Sequence, residues 1–145
     1  MQIKNGFPII KDNRDDSLIA LYKGTYLTNG ALYIGGIVVK GDLPGEPYCD
    51  VTINLESSWQ LKNNCAAIDL MIENDWFGEE LLKEFATPKS RIQQNYGNYA
   101  VWEFNEDILE EMPSINDQPE FDEKLRKLIE EYNPQFSEEN QMGGI

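Results

Sequence analysis

The stretch from residue 47 to residue 55 alternates between apolar and polar side chains, and this pattern constrains the fold more than any other feature. Cys49, Val51, Ile53 and Leu55 fall on one side, and the polar residues between them fall on the other. Successive side chains of a β-strand point to opposite faces, so the alternation predicts a half-buried strand. We interpret residues 47–55 as the central strand of a sheet.

Segments before this strand predict an antiparallel meander. Residues 18–22 and 25–28 are rich in strand-forming side chains, and the Asn29-Gly30 dipeptide that follows favours a two-residue type I′ hairpin turn. The return strand, residues 31–39, contains Gly35-Gly36, which predicts a bulge or kink within it.

Two later stretches show helical periodicity, at residues 76–86 and 119–132. Thr87-Pro88 ends the first run because a residue that precedes proline avoids helical backbone angles. The second run begins close to Asp117 and Glu120, where an aspartate followed three residues later by an acid is typical of a helix start. We therefore predict one helix in each stretch.

A last strand is predicted at residues 99–104, in the same sheet as residues 47–55, because its side chains alternate again. The short apolar piece at residues 65–68 fits either a strand or the start of a helix. Together these elements predict an α+β fold, in which an antiparallel β-sheet (meander) is covered by two or three helices, with an acidic C-terminal helix and a loose tail. The expected core includes Val51, Ile53, Trp76, Trp102 and Phe104.

The length of 145 residues predicts a single domain with one core. Within residues 1–145 we expect an N-terminal edge segment or arm (1–16), an α+β core (17–105), an acidic linker and helix (106–134) and a loose tail (135–145). The start lacks the pattern of a secretion signal, and no apolar run approaches the length of a membrane span. We expect a soluble, cytoplasmic protein.

The composition argues against catalysis. The chain has no histidine, which removes Ser-His-Asp and Cys-His nucleophiles and histidine metal sites. Cys49 and Cys65 form no CxxC pair and are interpreted as small buried apolar residues. Asp69, Glu73 and Asp75 could bind Mg²⁺ or Ca²⁺, but their spacing does not match an EF-hand loop, and a solvated loop is the preferred interpretation. We predict a protein that is not an enzyme, with no catalytic residues, no cofactor and no metal.

Negative charge is concentrated at the C-terminal end. The net charge is −14, and residues 103–145 hold 13 acidic and 3 basic side chains. Such a field repels nucleic acid and anionic lipid and favours a basic protein surface, although acids also simply keep small proteins soluble. The predicted partner is a basic protein surface, with no direct nucleic acid and no membrane. The residues predicted to contact it are Glu106, Asp107, Glu110, Glu111, Glu120, Asp122, Glu123, Glu130 and Glu131.

Several short motifs are spread over about residues 25–105. They are Gly45-Glu46-Pro47-Tyr48, Val51-Thr52-Ile53-Asn54-Leu55, Ala67-Ile68-Asp69, Trp76 and Tyr99-Ala100-Val101-Trp102-Glu103-Phe104-Asn105. With these motifs the chain resembles a small uncharacterised bacterial domain family carried on conjugative transposons and prophages. It departs from the family pattern at Ile53, where valine is usual, at Leu70-Met71-Ile72-Glu73, where an Asn-rich turn is expected, and at Tyr99-Ala100-Val101-Trp102, where Tyr-Pro-Leu-Tyr is common. The segment after residue 105 looks like an addition.

The family has no assigned activity, so the resemblance implies only a setting: mobile elements carry short accessory proteins, many of which counter host defence. Combined with the charge, this favours a non-enzymatic inhibitor from a mobile genetic element, for example an anti-CRISPR or anti-restriction protein. It would bind a basic nucleic-acid channel of a host nuclease through its acidic surface. The alternative is an immunity protein or another protein-binding accessory module for a basic partner.

Overall fold

The computed structural model describes residues 2–94 and 97–134, which form two antiparallel sheets and four α-helices. The predicted α+β class, with an antiparallel sheet covered by helices, is confirmed. The elements in chain order are β1 (Gln2–Lys4), β2 (Phe7–Lys11), β3 (Leu18–Thr25), β4 (Leu32–Lys40), β5 (Pro47–Asp50), β6 (Cys65–Ala67), α1 (Leu70–Glu73), α2 (Trp76–Glu84), β7 (Ala86–Gln94), β8 (Gly97–Phe104), α3 (Glu106–Glu111) and α4 (Glu120–Tyr132).

The first sheet is a five-stranded meander in the order β1-β2-β3-β4-β5. The run Leu18–Tyr22 in β3 lacks alternation because both faces of this strand are covered. Ile19 and Leu21 belong to the core that the first sheet shares with the second sheet and α2. Ala20 and Tyr22 belong to a smaller core between the first sheet and α4. An unbroken apolar run is what a strand covered on two faces requires.

The prediction of a central strand at residues 47–55 is wrong. Only Pro47–Asp50 form a strand, β5, which lies at the edge of the first sheet. The chain then crosses to the second sheet: the Val51 amide donates to Ile34 of β4 at 2.9 Å, and the Ile53 amide donates to Ala67 of β6 at 2.9 Å. The alternation therefore belongs to a segment that links two sheets.

The second sheet has the order β6-β8-β7. Residues 99–104 lie in β8 and so do not share a sheet with β5, which corrects the prediction of one sheet. The ambiguous piece at residues 65–68 contributes strand β6. Strand β7 was not predicted, because most of its side chains are exposed and it contains Pro88. An edge strand with proline, a register irregularity and charged side chains is protected against pairing with other chains.

The β3–β4 hairpin forms where it was predicted, but with a longer loop. The strands end at Thr25 and begin again at Leu32, and Gly30 has a φ of 72°. Asn29 is not among the residues of positive φ, so a type I′ turn, which needs two such residues, is absent. The Asn29 side chain instead accepts a hydrogen bond from the Ala31 amide at 3.0 Å. The predicted bulge is confirmed by a register shift between Gly36 and Ile37.

Residues 2–16 are a structural part of the first sheet. Strand β1 lies at the sheet edge, as an edge segment would, but β2 lies inside the sheet. Phe7, Ile9 and Ile10 of β2 are buried, Ile10 on one face and the other two on the opposite face. The apolar residues near the start therefore form a strand rather than an arm.

The predicted helices are confirmed as α2 and α4, with α2 ending at Glu84. Helix α3 was not predicted, since its six residues are too few for a periodic pattern. Leu109 of α3 enters the main core, and Phe121 and Leu128 of α4 enter the smaller core. The segment after residue 105 is therefore integrated into the fold.

Three of the five predicted core residues are confirmed: Val51, Trp102 and Phe104 are at most 2% exposed. Ile53 and Trp76 are only partly buried, which corrects the prediction for both. The predicted tail at residues 135–145 lies outside the described residues. Among the described helices, none has the length and apolar character needed to cross a membrane.

Candidate partner-binding surface

Helix α3 presents four acidic side chains to solvent on a short, well-anchored turn. The Asn105 side chain caps its start by accepting a hydrogen bond from the Ile108 amide at 3.1 Å. Leu109 is buried and Ile108 is partly buried, which fixes one face of the helix against the core. The exposed acids are Glu106, Asp107, Glu110 and Glu111.

Strand β3 holds the C-terminal end of α3. Strand β2 pairs with β3 only as far as Ala20, which leaves part of the edge of β3 for another segment. The linker after α3 takes this place: the Lys23 amide donates to Pro113 at 3.0 Å, and the Ile115 amide donates to Lys23 at 2.8 Å. The Lys23 ammonium also donates to the main-chain oxygen of Leu109. The acidic helix is therefore fixed to the sheet.

Most acids of α4 are neutralised by cations. Glu120 pairs with Lys124 at 3.2 Å, Glu123 and Glu130 each pair with Arg126 at 2.7 Å, and Glu131 pairs with Lys4 of β1 at 2.6 Å. The hydrogen bond from Arg126 lowers the pKa of Glu123. Asp122 is the exception, with no ion pair within the described residues.

The α3 acids have no such partners. Within residues 2–94 and 97–134, Glu106, Asp107, Glu110 and Glu111 form no ion pair. The remaining positions (1, 95–96 and 135–145) contain no lysine or arginine. Unpaired carboxylates leave their full charge available to a partner, whereas a paired one must first give up its cation. Among the described residues from 105 to 134, the unpaired acids are thus concentrated on α3.

The nine acidic residues that were predicted to contact a partner do not form one continuous surface. A groove of about 240 Å³ brings Glu110 and Glu111 of α3 together with Asp117 and with Glu120 at the start of α4. Glu131 lies eleven residues further along α4, about 16 Å away at 1.5 Å per residue. The acids at the far end of α4 therefore do not continue the α3 surface as one row.

A second hollow, of about 580 Å³, lies on another side of α3. Leu32 of β4 and Leu109 supply its apolar surface, and Glu106 and Glu110, one helical turn apart, line it together with Lys23 and Lys62. An apolar hollow bordered by unpaired carboxylates suits a partner side chain that has both an apolar part and a positive charge.

A polar cluster around the buried carboxylate of Asp12 was missed in the sequence. Asp12 is 2% exposed and accepts two hydrogen bonds from the Arg14 guanidinium, each of 3.0 Å, and one from the Tyr48 hydroxyl at 3.1 Å. The Arg14 guanidinium holds the pKa of Asp12 below its usual value, and burial raises the pKa of Tyr48. Arg14 also lies over the Trp76 ring at 5.2 Å. The cluster ties the β2–β3 turn to β5 and α2, and the Asp-x-Arg spacing was its sequence signal.

A tyrosine network on the first sheet was also missed. The Tyr33 hydroxyl donates to Asp50 at 2.6 Å and lies 3.3 Å from the Tyr22 hydroxyl. Burial raises the pKa of Tyr33, so it remains a hydrogen-bond donor. A Cβ on Gly35 would lie 2.5 Å from the Tyr33 hydroxyl oxygen, which explains glycine at this position.

The other candidates for chemistry have structural roles. The Asp69 and Asp75 side chains cap α1 and α2, and Glu73 pairs with Arg91 at 2.6 Å. Across the part of the chain that the structure describes, no group of three or more acidic or cysteine side chains could hold a metal ion. Burial raises the pKa of the Cys49 thiol to about 12 and also raises that of Cys65, so both remain thiols at neutral pH.

Comparisons of this chain with protein-family models, with curated proteins and with solved structures find no match. Its proposed function therefore rests on its own side chains and on the sequence resemblance.

Proposed function

We propose that this protein is a non-enzymatic inhibitor that occupies a basic nucleic-acid channel of a host nuclease through the acidic surface of α3. The observation that carries the proposal is the contrast between the two acidic helices: the α4 acids are mostly paired with cations, and the α3 acids are not. Nucleic-acid channels are lined with lysine and arginine that hold phosphates, and unpaired carboxylates compete for the same cations.

Half of this charge pattern does not stabilise the helix: Glu106 and Asp107 lie in the first turn, where the helix dipole favours acids, but Glu110 and Glu111 do not. Acids near a helix C-terminus are disfavoured by the helix dipole, yet Glu110 and Glu111 lie there, and the last turn of α3 contains no basic residue. An arrangement of these two acids that does not serve helix stability favours a role in binding. Because β3 already holds α3 in place, a partner would pay little conformational entropy to order it.

The setting in a mobile element comes from the sequence resemblance, and it favours a nuclease of host defence, such as a CRISPR effector or a restriction enzyme. An immunity protein for a basic nuclease toxin is the alternative. The apolar hollow beside Leu109 fits this second function as well as the first, since both partners are basic proteins with side chains of matching character.

The test is capture of partners from host lysate on immobilised protein, identified by mass spectrometry. We expect a basic nuclease that is retained by the wild-type chain, displaced by double-stranded DNA and lost with the Glu106→Gln/Asp107→Asn/Glu110→Gln/Glu111→Gln variant. Cleavage by that nuclease should then be inhibited by the wild-type chain only. A partner that DNA does not displace, or that the variant retains, would contradict the proposal. A toxin encoded beside this gene would favour immunity.

A further inference from the structure

Trp59 is exposed on a fixed turn close to α3. Its exposed fraction is 62%, whereas Trp102 is 2% exposed and Trp76 is partly buried. The turn, a short 3-10 helix at Ser58–Gln60, is held by the buried Ser58, whose hydroxyl accepts a hydrogen bond from the Leu55 amide at 2.9 Å. An indole that is mostly exposed contributes less to folding than a buried one, because less of its apolar surface is removed from water. Tryptophan is also among the residues that contribute most to protein interfaces.

The Trp59 turn and α3 border the same furrow. Trp59 lines a hollow of about 180 Å³, and this hollow shares Leu32, Lys62 and Asn63 with the 580 Å³ hollow beside α3. The furrow formed by the two hollows therefore has an exposed indole on the side of Trp59 and the unpaired carboxylates of Glu106 and Glu110 on the side of α3, with Leu32, Lys62 and Asn63 between them. Leu32 and Leu109 supply its apolar surface.

We infer that this furrow holds an arginine-containing segment of the basic partner, with one guanidinium stacked on Trp59 and other cations on Glu106 and Glu110. The inference rests on the proposed function and adds the identity of the recognised side chain. Arginine satisfies all three parts of the furrow: its planar guanidinium stacks on indole, its stem is apolar, and it pairs with carboxylate through two hydrogen bonds. Lysine provides the charge and the stem but pairs as a point charge and stacks less well.

Two lysines line the furrow, and one of them provides a test of the sign of the charge on the bound ligand. Lys23 is occupied by the main-chain oxygen of Leu109. Lys62 is exposed between the two hollows and has no ion pair within the described residues. A bound cation would be repelled by Lys62, so Lys62→Gln should tighten the binding of a basic peptide. An anionic ligand would show the opposite effect.

The experiment uses hexa-arginine and hexa-lysine as probes, which have equal length and charge, in NMR titrations of the full chain at low salt. We expect hexa-arginine to bind more tightly and to shift the indole N–H signal of Trp59. Trp59→Ala should weaken hexa-arginine about two- to five-fold, as loss of an exposed cation–π contact does, and should change hexa-lysine less. The matched control is Leu43→Ala, since Leu43 is 65% exposed in the loop at the other end of β4.

The outcomes separate this inference from the proposed function. If Trp59→Ala binds hexa-arginine as tightly as the wild type, or Lys62→Gln weakens it, the furrow inference is overturned, while weakening by the four α3 substitutions would still support the acidic surface. If those four substitutions also leave both peptides bound, the proposed function fails as well. An unmoved Trp59 indole signal in the wild-type chain overturns the inference without any variant.

Discussion

Lys23 in β3 donates a hydrogen bond from its ammonium group to the main-chain oxygen of Leu109, at the C-terminal end of α3. A cation is favourable there because the carbonyl groups at a helix C-terminus carry partial negative charge. This contact joins the first sheet to the acidic helix. It links the stability of the fold to the position of the proposed binding surface.

Replacing Lys23 should therefore affect both properties. Lys23→Met keeps much of the apolar stem but leaves the Leu109 carbonyl without this donor, and we expect the free energy of unfolding to fall by about 1–3 kcal/mol. Urea denaturation measures the change, and Lys40→Met, at an exposed position in β4, is the control. Amide hydrogen exchange should also become faster across α3. Equal stability of the two variants would show that the contact contributes little.

The Asp12 cluster predicts a specific pH dependence. The pKa of Asp12 is lowered by Arg14, so the folded state favours the carboxylate. Its contribution is complete above the unfolded pKa of about 3.9 and is lost as the pH falls through the lower folded value. Asp12→Asn should lower the Tm by several degrees at pH 7.

The difference in Tm between wild type and Asp12→Asn should begin to narrow as the pH falls below about 4, and it should close only below the lowered folded pKa, where the wild-type carboxyl is protonated. Thermal unfolding followed by circular dichroism between pH 2 and pH 7 measures it. Asp15→Asn serves as the control, since Asp15 follows in the same turn but is exposed. A constant difference across this range would mean that the cluster acts through packing and not through charge.

The sequence predicted the elements that bury one regular face and missed those that do not. Helix α4 was predicted because Phe121 and Leu128 recur at helical spacing along thirteen residues. Strand β7 was missed because an edge strand has few neighbours to bury its side chains, so Pro88 was interpreted only as the end of a helix. Residues 51–55 alternate as a strand does, yet no local pattern shows that they cross between two sheets.

Local sequence patterns were equally unable to show which residues of the candidate surface contact each other. The sequence located all nine acids but could not separate paired from unpaired ones, since Lys4 and Glu131 meet only through the fold. Trp102 was expected in the core because it lies in an alternating strand, whereas Trp59 lies in no predicted element. No local pattern indicated that the Trp59 side chain is exposed beside α3.

The two isoleucines Ile34 and Ile53 should respond very differently to truncation. Ile34 is 0% exposed in the main core, so Ile34→Ala should lower the free energy of unfolding by about 2–5 kcal/mol. Ile53 is only partly buried in the linking segment, and Ile53→Ala should cost clearly less. Urea denaturation of both variants gives the comparison. Similar losses of unfolding free energy would mean that the Ile53 side chain stabilises the segment between the two sheets more than its partial burial predicts.

Gly35→Ala tests the tyrosine network. The added Cβ would lie within 2.7 Å of the hydroxyl oxygens of both Tyr22 and Tyr33, so the rings must move, and overpacking of this kind costs about 1–3 kcal/mol. Tyr33→Phe is the companion variant, since it removes the hydrogen bond to Asp50 and restores part of the space. In the double variant, the cost of Gly35→Ala should therefore be smaller, as measured by urea denaturation. If Gly35→Ala costs the same free energy of unfolding with and without the Tyr33 hydroxyl, the clash with that hydroxyl is not the cause of the loss.

The last prediction compares two sets of substitutions that remove the same charge. Glu106→Gln/Asp107→Asn/Glu110→Gln/Glu111→Gln changes the unpaired α3 acids. Glu120→Gln/Glu123→Gln/Glu130→Gln/Glu131→Gln changes the paired α4 acids. Both sets raise the net charge by four, so any general effect of charge is equal in the two proteins.

We expect the α3 set to weaken binding to the captured partner by about one to two orders of magnitude, because four available charges are lost. Its Tm should stay close to that of the wild type. The α4 set should lower the Tm slightly, since it breaks pairs with Lys124, Arg126 and Lys4, and should weaken binding much less.

The salt dependence of the affinity distinguishes electrostatic attraction from apolar packing in the same experiment. The wild-type affinity should fall steeply as the Debye length shrinks from about 10 Å at 0.1 M to about 3 Å at 1 M, and the α3 variant should show a much flatter dependence. Isothermal titration calorimetry over this range measures both. If the two sets weaken binding equally and with the same salt slope, the partner responds to net charge and the contrast between α3 and α4 has no role in recognition. If the wild-type affinity does not change with salt, the interface is apolar. The hollow beside Leu109 is then the candidate binding site.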